Sequence, residues 1–325
     1  MRSAATGHIP LPDMQLHGVT MVRNEADIVE LFVRHNLSLL DGMTIVDHGS
    51  SDATPQILAA LVGEGLPLTV VRDDSIGLQQ QEITTRTARE AFARTGADWV
   101  FPLDADEFIK SPSRHVVEQV LATVPPGIHA AVEWLTYVPD LRAGGQDMIA
   151  LTRAARRLAT ERHLLRKAIV SRSLVDAPEA MLASGNHMVR RALDSEDDVP
   201  HALAHPAALA LAHLPIRSVA QFSAKVITNH LARIVAGREI TSTVFHLGES
   251  YRMLRDGQPL AADYVMTVAA NYGVPRSNWA PLQSIALLDD PFVAPIDLRY
   301  TPAKDPNALA LLARLAERLV DGERA

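Results

Sequence analysis

Trp99-Val100-Phe101-Pro102-Leu103-Asp104-Ala105-Asp106-Glu107-Phe108 is an apolar run that stops at three carboxylates. Its first five residues show no polar alternation, the pattern of a strand covered on both faces. Pro102 argues against a fully paired central position, because it has no N–H to give the ladder. Asp104, Asp106 and Glu107 fall where the strand ends, and ligands of open α/β sheets bind at that edge. Asp104 and Asp106 are two apart, so an extended chain places both on one face. Two like charges on one face ask for a cation between them. A divalent metal carrying a phosphate ligand is one answer, since Mg²⁺ and Mn²⁺ take oxygen ligands. The plainer reading is an acidic turn ahead of a helix capped by Ser111 or Ser113.

Upstream, residues 18–22 read as a first strand ending at Arg23-Asn24-Glu25. Ile28, Leu31, Phe32 and Leu39 then recur at helical spacing, with Asn24 as the expected cap and Asp27 in the first turn. Residues 43–46 form a second strand, ending at Asp47-His48-Gly49-Ser50-Ser51-Asp52. Thr54-Pro55 opens the next helix, Thr as cap and Pro at the first helical position. Residues 68–71 make a third strand, and a polar helix over about 79–94 leads to Gly96. Strand–helix alternation with short links predicts a mostly parallel sheet with right-handed crossovers. Each strand ends in acids or other polar groups, which points to one ligand lying along the carboxyl edge.

Downstream, Val116, Val117, Val120 and Leu121 suggest a helix, and residues 129–134 a strand. Residues 139–147 are turn-rich. The arginines of 150–166 fit a helix or a mobile loop; they read as a solvated face or as a seat for an anionic acceptor. Short strands are expected at 168–170 and 188–189, around Gly185-Asn186-His187. Residues 195–198 read as a solvated loop, and 208–212 as a buried strand ending at His213. Ser218 caps a helix to about 236. The remainder is helical and broken by prolines, with a last amphipathic helix near 309–320.

The chain has 325 residues, 47% hydrophobic and 21% charged, ordinary for a globular protein. The formal net charge of −7 argues against nucleic acid as the main partner. Cysteine is absent, which removes disulfides, thiolate catalysis and Cys-ligated zinc. Residues 1–16 lack the apolar core of a signal peptide. The most apolar long run, 202–216, is interrupted by His205, Pro206 and His213, so no transmembrane segment is expected. These features predict a cytoplasmic protein, with peripheral membrane contact left open.

Three stretches, Val22-Arg23-Asn24-Glu25, Asp47 to Thr54 and Leu103-Asp104-Ala105-Asp106-Glu107, look like the signatures of family 2 glycosyltransferases. More narrowly, the chain is similar to the branch with a D-A-D-E-F motif and a later H-x-P-x-R-S motif. Here the latter is His213-Leu214-Pro215-Ile216-Arg217-Ser218, followed by Gln221-Phe222 and Lys225. Arg166 to Val170 and Gly185-Asn186-His187 sit where that branch has a basic strand and a Gly-His turn. The resemblance covers roughly residues 17–230. It implies an α/β fold of GT-A type, Rossmann-like, with a mostly parallel central sheet flanked by helices. It divides the chain into a lead-in (1–16), a transferase domain (17–236) and a helical C-terminal extension (237–325). The nucleotide-binding half would be 17–110 and the acceptor-side half 111–236. The implied reaction moves a sugar from a nucleoside-diphosphate sugar, a UDP-sugar being favoured, to an acceptor hydroxyl with inversion. The acceptor class stays open: a glycan, a lipid-linked glycan or a small molecule.

Such a transfer needs charge stabilisation on the leaving diphosphate, a base for the acceptor, and polar groups for the nucleoside. By the resemblance, Asp106 is a ligand of a divalent metal, Mn or Mg. Asp104 binds ribose or the metal, and His213 completes the metal shell or touches the diphosphate. Asp47 contacts the nucleobase. The family's usual second acid beside it is replaced by His48, which leaves the base contact open. Arg23 and Glu25 line the nucleotide pocket, and Arg86 matches a basic residue ahead of the D-x-D. Arg217 and Lys225 neutralise the diphosphate, or are surface charges. Glu133 or Glu107 serves as general base. Trp134 stacks on a sugar or packs in the core. His213 has a plainer role as the end of a strand, His187 as a structural histidine, and Asp52 as a turn or cap residue. Two rival readings share these residues. One is a Mg-dependent nucleotidyltransferase, which would want a Gly-rich phosphate loop that is missing near Val22. The other is a non-catalytic binding module of the same fold.

Overall fold

Four parallel strands lie side by side: β1 (Leu16–Val22) between β2 (Gly42–Asp47) and β4 (Trp99–Leu103), with β3 (Leu68–Arg72) outside β2. The computed structural model describes residues 13–75, 79–142, 148–153, 155–192, 195, 197–235, 237, 245–293, 296–302, 312–314, 316–317 and 320. The turn at Gly144-Gly145, most of the lead-in and half of the expected last helix lie outside the described residues.

Helices α1 (Val29–Asn36) and α2 (Thr54–Gly63) cover one face of these strands, and α3 (Gln80–Thr95) the other. Ile28, Leu31 and Phe32 are fully buried against Leu16, Met43 and Phe101. Each such side chain stabilises the fold by roughly 1.5–3 kcal/mol relative to exposure. On the far face Ala88, Ala91 and Phe92 pack on Val19 and Val100. Gly96 ends α3 at φ 70°, a left-handed cap.

The sheet continues past β4 in mixed sense. Next come β5 (Glu107–Lys110), α4 (Arg114–Ala122, capped by Ser113), β6 (His129–Thr136), α5 (Met148–Arg153) and β7 (Arg156–Leu158). They are followed by β8 (Arg166–Ser171), α6 (Ser173–Asp176), and a small pair, β9 (Met181–Leu182) with β10 (Val189–Arg190). Then come β11 (His201–Leu203), β12 (Ala210–His213) and α7 (Val219–Val235). Strand β8 is antiparallel to both β4 and β6, β6 is parallel to β11 and β12, and β5 closes the edge antiparallel to β12. The fold is α/β, with a mostly parallel central sheet flanked by helices. Strand β8 pairs with Trp99 and Val100 only, so Pro102 sits where β4 is laddered on one side. That is how a proline is accommodated inside a central strand.

Helices α8 (Phe245–Arg255) and α9 (Ala262–Ala270) pack on α7, and β13 (Leu287–Asp289) pairs with β7. The arginines of 150–166 are neither one helix nor a free cationic face. Arg157 pairs with Asp290, and Arg162 donates to Asn271 and to the Asn278 carbonyl. They fasten the C-terminal segment to the sheet. A second fastening is Glu30 of α1, which is fully buried. Its carboxylate accepts from the backbone N–H groups of Arg299, Tyr300 and Thr301 and from the Thr301 hydroxyl. No helix among the described residues is long and apolar enough to cross a membrane.

Two expected caps are not formed. Asn24 stands at φ 58° and accepts from Ser51 N, while Ser50 Oγ accepts from Asn24 N. Asn tolerates that left-handed conformation better than most residues, so it serves as a corner between two loops. Thr54 Oγ1 accepts from Glu25 N instead of capping α2, and Asp52 Oδ2 accepts from Ala26 N. These cross-links bind the loop after β1 to the loop after β2.

Candidate active site

After Leu103 the chain leaves the sheet as a tight turn. Glu107 N donates to the Asp104 carbonyl at 3.0 Å, and Asp104 N donates back to Glu107 Oε2 at 2.9 Å. The shared face expected for Asp104 and Asp106 required an extended chain. The turn sends the two carboxylates apart, and each finds its own lysine.

Asp104 turns toward β8. Lys167 Nζ lies 2.6 Å from Asp104 Oδ2 and 2.7 Å from Glu107 Oε1. Gln80 of α3 donates to Asp104 Oδ1 at 2.8 Å, and Asn186 Nδ2 reaches the same oxygen at 3.4 Å. Glu107 and Lys167 are sealed in the core, whereas Asp104 is 29% exposed. Burial lifts the Glu107 carboxyl to about 8 against the pull of Lys167. Burial opposes the charge on Lys167 too, but Asp104 and Glu107 outweigh it and keep the ammonium protonated.

Asp106 turns toward α7. Lys225 Nζ donates to Asp106 Oδ2 at 2.8 Å, and His213 Nε2 lies 3.7 Å from Oδ1. Burial would raise the Asp106 carboxyl; Lys225, His213 and Arg217 hold it well below the usual range. Burial drives His213 well below its ordinary value, against the pull of Asp106. The loop that carries it is tied to the turn, because Leu214 N donates to the Asp106 carbonyl at 2.9 Å. Arg217, on that loop, forks onto Asp27 (2.6 and 3.0 Å) and Glu25 (2.5 Å). Burial lifts Glu25 to about 7 despite Arg217 and Lys225.

Aromatic rings close one side. His213 lies against Trp134 with centroids 3.6 Å apart, and Tyr272 meets both edge-on at 5.2 and 6.1 Å. Several buried polar atoms here have no hydrogen-bond partner among the described residues: Arg217 Nη1, His213 Nδ1, Trp134 Nε1 and Asn186 Oδ1.

Asp104, Asp106, Glu107, His213, Arg217, Lys225 and Glu25 thus come together. Asp47 lies apart at the end of β2, buried, its carboxylate accepting from Ser50 N and from Arg72 at 2.6 Å. Arg23 is half-buried just past β1. Arg86 lies on exposed α3 surface, 3.3 Å from Asp73. Glu133 pairs with Arg166 in register and faces away from its neighbour Trp134, because adjacent strand residues point to opposite faces. It is therefore turned from His213 and Asp106. Glu107 points inward at Lys167. Lys167, Gln80, Asp27 and Tyr272 were not foreseen. Lys167 gave one signal, its place beside Arg166 in the basic stretch 166–170; the other three gave none.

No family model matches the chain, and no curated protein matches it. Among solved structures the chain is similar to the mannosyltransferase PcManGT from Pyrobaculum calidifontis, in complex with GDP-Man and Mn²⁺. That likeness covers 81% of this chain and 75% of the other at 18% identity, with TM-score 0.38. TarS 1–349 of S. aureus, in complex with UDP, is matched over 82% of this chain and 74% of its own at 12% identity, TM-score 0.38. Glucosyl-3-phosphoglycerate synthase from Mycobacterium tuberculosis is matched over 38% of this chain and 44% of its own at 20% identity, TM-score 0.26. These likenesses are distant, and the site described above rests on its own geometry.

Proposed function

We propose that this protein is a glycosyltransferase of GT-A type that moves a sugar from a nucleoside-diphosphate donor, a UDP-sugar in the favoured reading, to an acceptor hydroxyl with inversion. The observation that carries the proposal is the set of unsatisfied buried atoms around the Asp104–Asp106 turn. Leaving such a group without a partner costs about 1–3 kcal/mol. A diphosphate satisfies Arg217 Nη1, and hydroxyls, which both donate and accept, suit Trp134 Nε1 and Asn186 Oδ1. The sequence motifs agree with that ligand.

Among the described residues no three Asp, Glu or His side chains converge to hold a metal by themselves. Asp106, with His213 beside it, fits a divalent ion that arrives with the diphosphate, because Mg²⁺ and Mn²⁺ commonly take one or two carboxylates plus substrate phosphates. When bound there, the ion neutralises charge growing on the leaving group. Lys225 and Arg217 add positive charge on the same side, as point-like and planar cations. Asp104 orients the ribose, and Asp47, Arg23 and Glu25 line the nucleoside side. The reading assigns the base to neither Glu107, which is sealed behind Asp104, nor Glu133, which faces away from Trp134.

Isothermal titration with UDP and GDP, each with and without Mn²⁺, tests this. The expected result is metal-dependent binding of one diphosphate, weakened at least about 100-fold, or 2.7 kcal/mol, by Asp106→Asn. Unchanged binding in that variant, or no binding by the wild type, would overturn the proposal.

A further inference from the structure

Lys167 is 1% exposed and sits at a junction. On one side its ammonium bridges Asp104 Oδ2 and Glu107 Oε1. On the other it lies 5.6 Å from the centre of the Trp134 ring. Register explains this: Lys167 pairs with Val132, and Trp134 is two residues further along the same face of β6. The tilted ring of His213 lies against Trp134, and His213 stands beside Asp106. One unbroken chain of contacts therefore runs from Asp104 through Lys167, Trp134 and His213 to Asp106, although the turn points the two carboxylates apart.

We propose that Lys167 is a positioning residue that fixes both aspartates of the turn at once. It holds Asp104 by its ammonium and Asp106 through the Trp134–His213 ring contact. A buried lysine is hard to keep. Desolvating an ammonium is strongly unfavourable, and apolar residues of similar volume often replace buried ion pairs without loss of stability. Here the ammonium faces two carboxylates of very different exposure, 0% for Glu107 and 29% for Asp104. The sealed Glu107 anchors it, and it directs the open Asp104. Lys167 touches no substrate; it acts through the residues that would. This rests on the reading of the turn as the diphosphate site.

The test compares wild type, Lys167→Met and Lys167→Arg by titration with UDP and GDP in Mn²⁺, and by crystal structures of the unliganded proteins. Outer residues that orient ligands usually matter by about 10–100-fold in affinity or activity. Lys167→Met is expected to lose that much diphosphate affinity and to release the Asp104 carboxylate, while strands 99–103 and 166–171 superpose. Lys167→Arg keeps the charge and is expected to bind more tightly than Lys167→Met despite being the worse fit in volume. A packing role predicts the reverse order. If Lys167→Met does not fold, Lys167→Gln, of similar length but uncharged, is read the same way. An Asp104 carboxylate unmoved in the uncharged variant, or Met binding as well as Arg, overturns the proposal. The displacement is read without ligand, so a wild type that binds neither diphosphate sinks the proposed function alone.

Discussion

Two acidic edges of one sheet are neutralised in different ways. At the outer strands Asp47 meets Arg72, 25 residues on, and Asp73 meets Arg86, 13 on. Both arginines stay about half exposed, at 47% and 57%. At the turn after β4 the partners come from 63, 119 and 192 residues away, for Asp104–Lys167, Asp106–Lys225 and Glu25–Arg217. Two of those cations, Lys167 and Arg217, are almost wholly out of water. An arginine that stays half in water keeps much of its hydration, and its charge is screened by solvent. A distant buried pair exists only once the whole sheet has assembled, and removing one member leaves a bare charge.

The contrast can be broken at its strongest point. Arg217→Met strands Glu25 and Asp27 beside Asp106 and is expected to destabilise the protein by about 3–5 kcal/mol, read by urea unfolding. A loss under about 1 kcal/mol would put Arg217 in the same class as Arg72. Lys225→Ala comes next, since Lys225 keeps 22% exposure and water can replace part of its contact. About 1.5–3 kcal/mol is expected from a bond to a charged group, checked by thermal melting.

Glu30 sharpens the comparison through pH. Burial pushes its carboxyl up, but the N–H groups of Arg299 and Tyr300, with Arg34 and Thr301, hold it below the usual value. A depressed folded value means the unfolded chain takes up its proton first, so this stabilisation is complete above about pH 4.5 and is lost on acidification. Glu30→Gln should lower stability at pH 7 by about 1–3 kcal/mol and flatten the acid limb of the profile. An unchanged acid limb would assign that limb to other carboxylates. The smallest effect is Arg86→Ala: under about 1 kcal/mol, shrinking further in high salt, by the same unfolding assay.

The parallel half was legible in the sequence. Its strands and helices follow one another with short links, and the period-3.6 stripe of Ile28, Leu31 and Phe32 and the run into Asp104 are local signals. The acids at strand ends were legible for the same reason. The turn at 104–107 was not, because it is set by Glu107 folding back on Asp104 N rather than by Gly or Pro. Lys167 showed only as part of a basic strand and Tyr272 not at all, since only the antiparallel insertion of β8 and the packing of the C-terminal helices bring them to the site. The caps failed where tertiary bonds offered Asn24 and Thr54 better partners across the two loops.

The Glu30 clasp has a consequence for the order in which the molecule is made. Glu30 is translated 269–271 residues ahead of its backbone partners. At synthesis rates of about 5–20 residues per second, roughly 15–50 s pass before those partners exist. Throughout that interval the Glu30 carboxylate has only Arg34 of its own helix and water for partners, and the helix cannot bury that face without cost. That helix is translated long before it can be finished.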